Sequence, residues 1–144
     1  MSEATATPPS EPSPPPGPFS VALPPDLDAP TMARTLVREH AAGLPPNMVD
    51  DAVICVSELV SNAVEHGRPE IILNLSVGDG RIGVEVTDHG DPIDPVVVGH
   101  VDDANPRGRG LRIIDTLADA WGVTRHDDDP HRPRKTVWFE LYPA

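Results

Sequence analysis

From Phe19 onward the chain divides into stretches where apolar residues recur at every second position and stretches where they recur at every third and fourth. Phe19, Val21 and Leu23 alternate with small residues and predict a first strand, ended by Pro24-Pro25. Asp28 or Thr31 is placed to cap a helix that runs to about Glu39–Ala42. Gly43-Leu44-Pro45-Pro46 breaks the chain, and Asn47 is placed to cap a long second helix. In that helix Ala52, Val56, Leu59, Val60 and Ala63 form one apolar stripe, which predicts a helix reaching His66 with Gly67 as its C-cap. Ile71, Leu73, Leu75 and Val77 alternate as a strand, and Gly78-Asp79-Gly80 turns it into a partner over Arg81–Thr87. Residues 90–107 carry Pro92, Pro95, Pro106 and the pair Asp102-Asp103, and read as a loop that fits a short lid. A third helix is expected from the Gly108–Leu111 segment, with Leu111, Ile114, Leu117, Ala118 and Trp121 at helical spacing and Gly122 closing it. Val123–Arg125 and Thr136–Tyr142 form a last strand pair, joined by His126–Arg134. The order β-α-α-β-β-α-β-β predicts an α+β two-layer sandwich, its sheet mixed but mostly antiparallel and its helices on one face.

Composition narrows the class. The chain has 144 residues, which fits one domain. Residues 1–18 hold prolines with Ser, Thr, Ala and Glu and no large apolar residue beyond Met1, so they read as a disordered tail before a domain at 19–144. No apolar run has the length of a membrane span or the form of a signal peptide. A net charge of −12 argues against nucleic acid and anionic lipid as direct partners. Against that background, basic residues gather between Arg107 and Lys135. The lone Cys55 permits no internal disulfide and suits a reducing cytoplasm; its place in the apolar helix predicts packing rather than reactivity.

Three segments carry candidate chemistry. Glu58 and Asn62 lie one turn apart on the second helix, so their side chains share a face. Asn is a poor mid-helix residue, but its carboxamide oxygen is a good ligand for a hard cation, and a carboxylate one turn earlier can accept a proton from a nucleophile. The strand over Arg81–Thr87 ends in Asp88-His89-Gly90. A carboxylate there can accept from an exocyclic amine such as that of adenine, and the glycine lets backbone approach a flat ring. Arg107-Gly108-Arg109-Gly110-Leu111 opens a helix, where backbone N–H groups and added positive charge favour a phosphate. Alone, each segment has a plainer reading: a polar edge on a core helix, an Asp/Gly turn, a hinge. His89, His126, His131 and the Asp127–Asp129 run lack structural zinc spacing and read as a solvated hairpin loop, while Trp121 and Trp138 read as packing residues.

In this order and spacing the segments resemble the ATP-binding domain shared by histidine kinases, Hsp90, gyrase B and MutL, the GHKL superfamily with its Bergerat-type fold. Glu58 to Asn62 looks like the N box, and Asp88-His89-Gly90 and Gly108-Arg109-Gly110 look like its two glycine boxes. Ser57–Gly67, Gly108–Leu111, Leu117–Val123 and Lys135–Leu141 are most similar to the small anti-sigma-factor serine kinases and their actinobacterial relatives, over roughly residues 19 to 142.

The resemblance implies an ATP- and Mg²⁺-dependent serine kinase. Its expected phosphoacceptor is an anti-anti-sigma (STAS-like) protein, and its alternative, sequestered partner a sigma factor. Asn62 would hold Mg²⁺, and Glu58 would act on the acceptor hydroxyl. Asp88 and Gly90 would hold adenine, Arg107, Gly108, Arg109, Gly110 and Leu111 the phosphates, and Thr136 would complete the nucleotide site. A cytoplasmic location follows, and a homodimer is compatible with it. Two departures keep open an alternative, an ATP-dependent module that sequesters a partner without phosphorylating it. Glu65 stands where many relatives carry a basic residue, and Arg134 where many carry glycine. A histidine-kinase fragment is disfavoured, because little sequence precedes the N-box segment.

Overall fold

The computed structural model describes residues 19–90 and 106–144, with only the backbone given for 106–110. The tail and residues 91–105 of the expected lid lie outside the described residues, and residues 106–107, expected in that loop, begin a helix instead. Eight elements follow one another: β1 (Phe19–Leu23), α1 (Asp28–His40), α2 (Pro46–His66), β2 (Ile71–Gly78), β3 (Arg81–Asp88), α3 (Pro106–Leu117), β4 (Ala120–His126) and β5 (Arg134–Leu141). The strands form one sheet in the order β1-β2-β3-β5-β4. All its pairings among the described residues are antiparallel, so the sheet is uniform where a mixed one was expected.

Period-two patterning decides which face is covered. Ile71, Leu73 and Leu75 of β2, Ile82, Val84 and Val86 of β3, and Val137, Phe139 and Leu141 of β5 point to one face and are all buried. The helices cover that face: α1 buries Ala29, Ala33 and Val37, and α2 buries Val49, Ala52, Val53, Cys55, Val56, Leu59, Val60 and Ala63. α2 is the central element, in contact with α1, α3, β3 and β5. Alanines on α1 let it approach α2 closely, and Arg34 adds a hydrogen bond from Nη1 to Ser57 Oγ at 2.9 Å. The opposite face is polar, with the Thr87 and Thr136 hydroxyls 2.6 Å apart and His126 Nε2 2.9 Å from Thr136 Oγ1.

Element ends depart from expectation for local reasons. α1 starts at Asp28 without a side-chain cap of its own; Asp26 Oδ1 instead accepts from the Asp28 N–H at 2.9 Å. α2 begins at Pro46, whose missing N–H costs nothing in a first turn, so Asn47 lies inside the helix and does not cap it. Asp79 and Gly80 both have positive φ, 56° and 77°, the turn that matches the twist of a two-residue hairpin. The largest correction is at α3. It ends at Leu117, and Trp121 and Gly122 belong to β4. The helical spacing of Trp121 misled because a core-facing strand position satisfies it equally. Trp121 pairs with Phe139 across β5 and donates its indole N–H to Asp115 Oδ1 at 2.8 Å. Gly122 leaves room for the Trp138 ring, which a Cβ there would meet at 2.8 Å.

Candidate nucleotide site

The ends of α2 and β3 meet at Asp88. α2 stops at Gly67, whose N–H still reaches Ala63 O at 2.9 Å, and β3 stops at Asp88. The segments that follow are joined by the His89 N–H to Arg68 O bond of 3.0 Å. Their approach is close enough to require glycine twice. A Cβ on Gly67 would lie 2.6 Å from Asp88 Cγ, and one on Gly90 would collide with the Gly67 Cα.

Asp88 is 2% exposed. Its Oδ1 accepts two hydrogen bonds, from the Gly90 N–H at 2.6 Å and from Lys135 Nζ at 3.0 Å. Lys135 is as deeply buried as its partner, so this is an interior ion pair, unlike the exposed pairs of Arg134 with Asp128 and Arg38 with Asp50. Register explains it: Asp88 faces Lys135 across β3 and β5, on the face that carries the core.

Asp88 and Lys135 close one end of a small cavity whose other walls are Leu59, Asn62, Ala63, His66, Val86 and Val137. The enclosed volume is about 10 Å³, room for a single water, so a larger group enters only as side chains give way. Asn62 Nδ2 is buried with no hydrogen-bond partner among the described residues. Glu58, one turn earlier, is half-buried and outside the cavity lining. Beyond Gly90 a wider hollow of about 300 Å³ is lined by Arg68, Pro69, His89, His131, Arg132 and Pro133, so the rim on that side is basic.

The structure brings together Asn62, Asp88 and Gly90 of the expected set. Arg107, Gly108, Arg109 and Gly110 lie in the first turn of α3, so the segment opens the helix as expected, and α3 packs on α2. Leu111 is 1% exposed and belongs to the core with Ile114. Thr136 is the clear displacement. Its side chain points to the polar face and bonds Thr87 and His126, while its neighbour Lys135 lines the cavity. Lys135 and Gly67 were missed as site residues. Strand alternation places Lys135 with Val137, Phe139 and Leu141, and that signal was present in the sequence. The closeness of Gly67 to Asp88 is a tertiary fact that no local pattern carries.

Cys55 is fully buried in α2. Burial, then the nearby Asp51 and Glu58, push its thiol up to about 12. It is a packing residue.

The site thus brings together a buried carboxylate whose Oδ2 has no hydrogen-bond partner among the described residues, apolar walls, and a carboxamide on the facing helix. The chain belongs to the histidine kinase-like ATPase domain family, which residues 23–140 match. Among its relatives is the serine-protein kinase RsbW of Bacillus subtilis (strain 168), 32% identical over 93 residues that span 54% of this chain and 58% of the kinase. An anti-sigma F factor of Clostridium botulinum (strain Eklund 17B / Type B) is 27% identical over 122 residues, 76% of this chain and 85% of the factor. The fold is shared with the RsbU and RsbW domains of Rv1364c from Mycobacterium tuberculosis, at a TM-score of 0.64 and 23% identity over 89% of this chain and 32% of that one. A chain of the SiaB-SiaC complex from Pseudomonas aeruginosa shares it too, with a TM-score of 0.64 and 13% identity over 85% of this chain and 89% of that one.

Proposed function

We propose that this protein is an ATP-dependent serine-protein kinase of the anti-sigma class, which phosphorylates an anti-anti-sigma protein and, in the alternative complex, sequesters a sigma factor. The observation that carries the reading is Asp88. It is a buried carboxylate with Oδ1 fully engaged and Oδ2 without a partner among the described residues, in a pocket walled by Leu59, Ala63, Val86 and Val137. An adenine offers an amine to such an acceptor and two apolar faces to such walls. Relatives named as a serine-protein kinase and an anti-sigma factor support the choice of activity and partner.

Asn62 fits a magnesium ion by its donor chemistry. Its Nδ2 is buried without a hydrogen-bond partner among the described residues, and O and N exchange places on a flip of the side chain, so the oxygen can take the unpartnered position. The ion would neutralise charge on the phosphates, while the N-terminal turn of α3 presents N–H groups to them. Glu58 would accept the proton of the acceptor serine. The buried, unpaired Cys55 fits a cytoplasmic location, and no helix among the described residues is long and apolar enough to cross a membrane.

The test is transfer of labelled phosphate from ATP, with Mg²⁺, to anti-anti-sigma-like proteins of the same cell. Phosphoserine on one of them, lost with Glu58→Gln while nucleotide binding is kept, is the expected result. Retention of a partner with ATP but no transfer by the wild type would replace the kinase with a sequestering module.

A further inference from the structure

Lys135 is buried on the core face of β5, opposite Asp88, where the alternating positions are Val137, Phe139 and Leu141. Its side chain is 4% exposed, and its ammonium lies 3.0 Å from Asp88 Oδ1. A buried ion pair loses hydration that an apolar pair of like volume does not, so packing alone does not call for a lysine here. The ammonium has three donors and no acceptor. Asp88 Oδ1 takes one, and Nζ has no second acceptor among the described residues. Lys135 and Asp88 line the same cavity, so the pair sets a donor, Nζ, beside an acceptor, Oδ2.

A carboxylate alone accepts from any amine. A carboxylate beside an ammonium asks for a donor flanked by an acceptor, and adenine has that pattern, its 6-amino group lying between the ring acceptors N1 and N7. Resting on the ATP-site reading above, we infer that Lys135 is a specificity-determining residue of the nucleotide site: Asp88 Oδ2 accepts from the 6-amino group while Lys135 Nζ donates to N1 or N7. A site that places a buried donor against a ring nitrogen discriminates against analogues lacking that nitrogen, because the donor is then left unpaired.

Calorimetric titration of the full chain with ATP, 1-deaza-ATP and 7-deaza-ATP tests this. Both analogues keep the 6-amino group and the triphosphate, and each lacks one acceptor. The wild type should bind one of them about ten-fold more weakly than ATP, the scale of one lost buried hydrogen bond. Lys135→Met should bind ATP about ten-fold more weakly and no longer distinguish that analogue from ATP. Equal binding of all three ligands by the wild type overturns the inference, and so does a Lys135→Met protein that binds ATP as tightly as the wild type or more tightly. If that variant does not fold, the wild-type series decides alone. Failure of the wild type to bind ATP removes the nucleotide-site reading and this inference with it. ATP binding without discrimination removes only the role of Lys135.

Discussion

Replacing Gly67 by alanine adds one methyl group, and its effect follows from two opposed quantities. Gly67 has φ −92°, a conformation open to any residue, so on backbone grounds the change should stabilise the fold by about 0.4–1 kcal/mol through the unfolded chain. The new Cβ, however, lies 2.6 Å from both Ala63 O and Asp88 Cγ. Carbon atoms in contact sit about 3.5–4.0 Å apart, so something must move by about 1 Å. The Ala63 carbonyl is part of α2 and cannot yield, so the Gly67 backbone must shift to clear it, and Asp88 must move as well. That carboxylate is held by Gly90 N–H at 2.6 Å and Lys135 Nζ at 3.0 Å, and a shift of this size breaks at least one of those bonds. Overpacking costs about 1–3 kcal/mol and a lost hydrogen bond to a charged group about 1.5–3 kcal/mol. Net destabilisation of about 2–5 kcal/mol is expected, with a fall in adenine-nucleotide affinity. Urea unfolding followed by the fluorescence of Trp121 and Trp138 measures the first, and titration calorimetry the second. Gly43→Ala is the control. A Cβ there meets nothing within 4 Å, so that variant should be neutral or slightly stabilised. Wild-type stability in Gly67→Ala would mean that Asp88 is not held as described, and the geometry of the site would fall with it.

Asp88→Asn exchanges an acceptor-only group for a mixed one and removes the charge facing Lys135; a loss of about 1–3 kcal/mol in ATP and ADP binding is expected by calorimetry, and unchanged affinity would take Asp88 out of the site. Cys55 should resist iodoacetamide at pH 8 in the native protein and react once urea unfolds it. Its thiol is raised in the fold from 9.0 to about 12, so the stability it lends is complete below pH 9 and is lost as pH rises from there toward 12, a decline that Cys55→Ala should lessen in alkaline unfolding curves. Residues 1–18 lack apolar anchors, so a chain starting at Pro18 should keep its melting temperature and its nucleotide affinity; a drop of several degrees would show that the segment packs on the domain.

The parts of this fold legible in the sequence are those where one physical demand acts on each residue. Alternation at Ile71, Leu73 and Leu75 and at Ile82, Val84 and Val86 reflects only a covered sheet face, and these strands begin where the pattern does. The stripe of α2 is equally direct, and so is the Asp79-Gly80 turn, which requires positive φ twice. Legibility fails where two demands coincide. Trp121 satisfies both a helical period from Leu117 and a core-facing strand position, and the pairing with Phe139, a tertiary fact, decides between them. Thr136 and Lys135 show the same effect at the site. The family resemblance pointed to Thr136 as a nucleotide-site residue, but strand parity assigns Thr136 to the polar face and its neighbour Lys135 to the core face. The lysine is retained there because Asp88, directly opposite in register, supplies its counter-charge. A buried cation can be read from sequence only together with the partner that makes it tolerable, and that partner lies 47 residues away. Local motifs therefore single out Asn62, Asp88 and Gly90 as neighbours of one cavity, while the sheet register decides which side chain stands beside them.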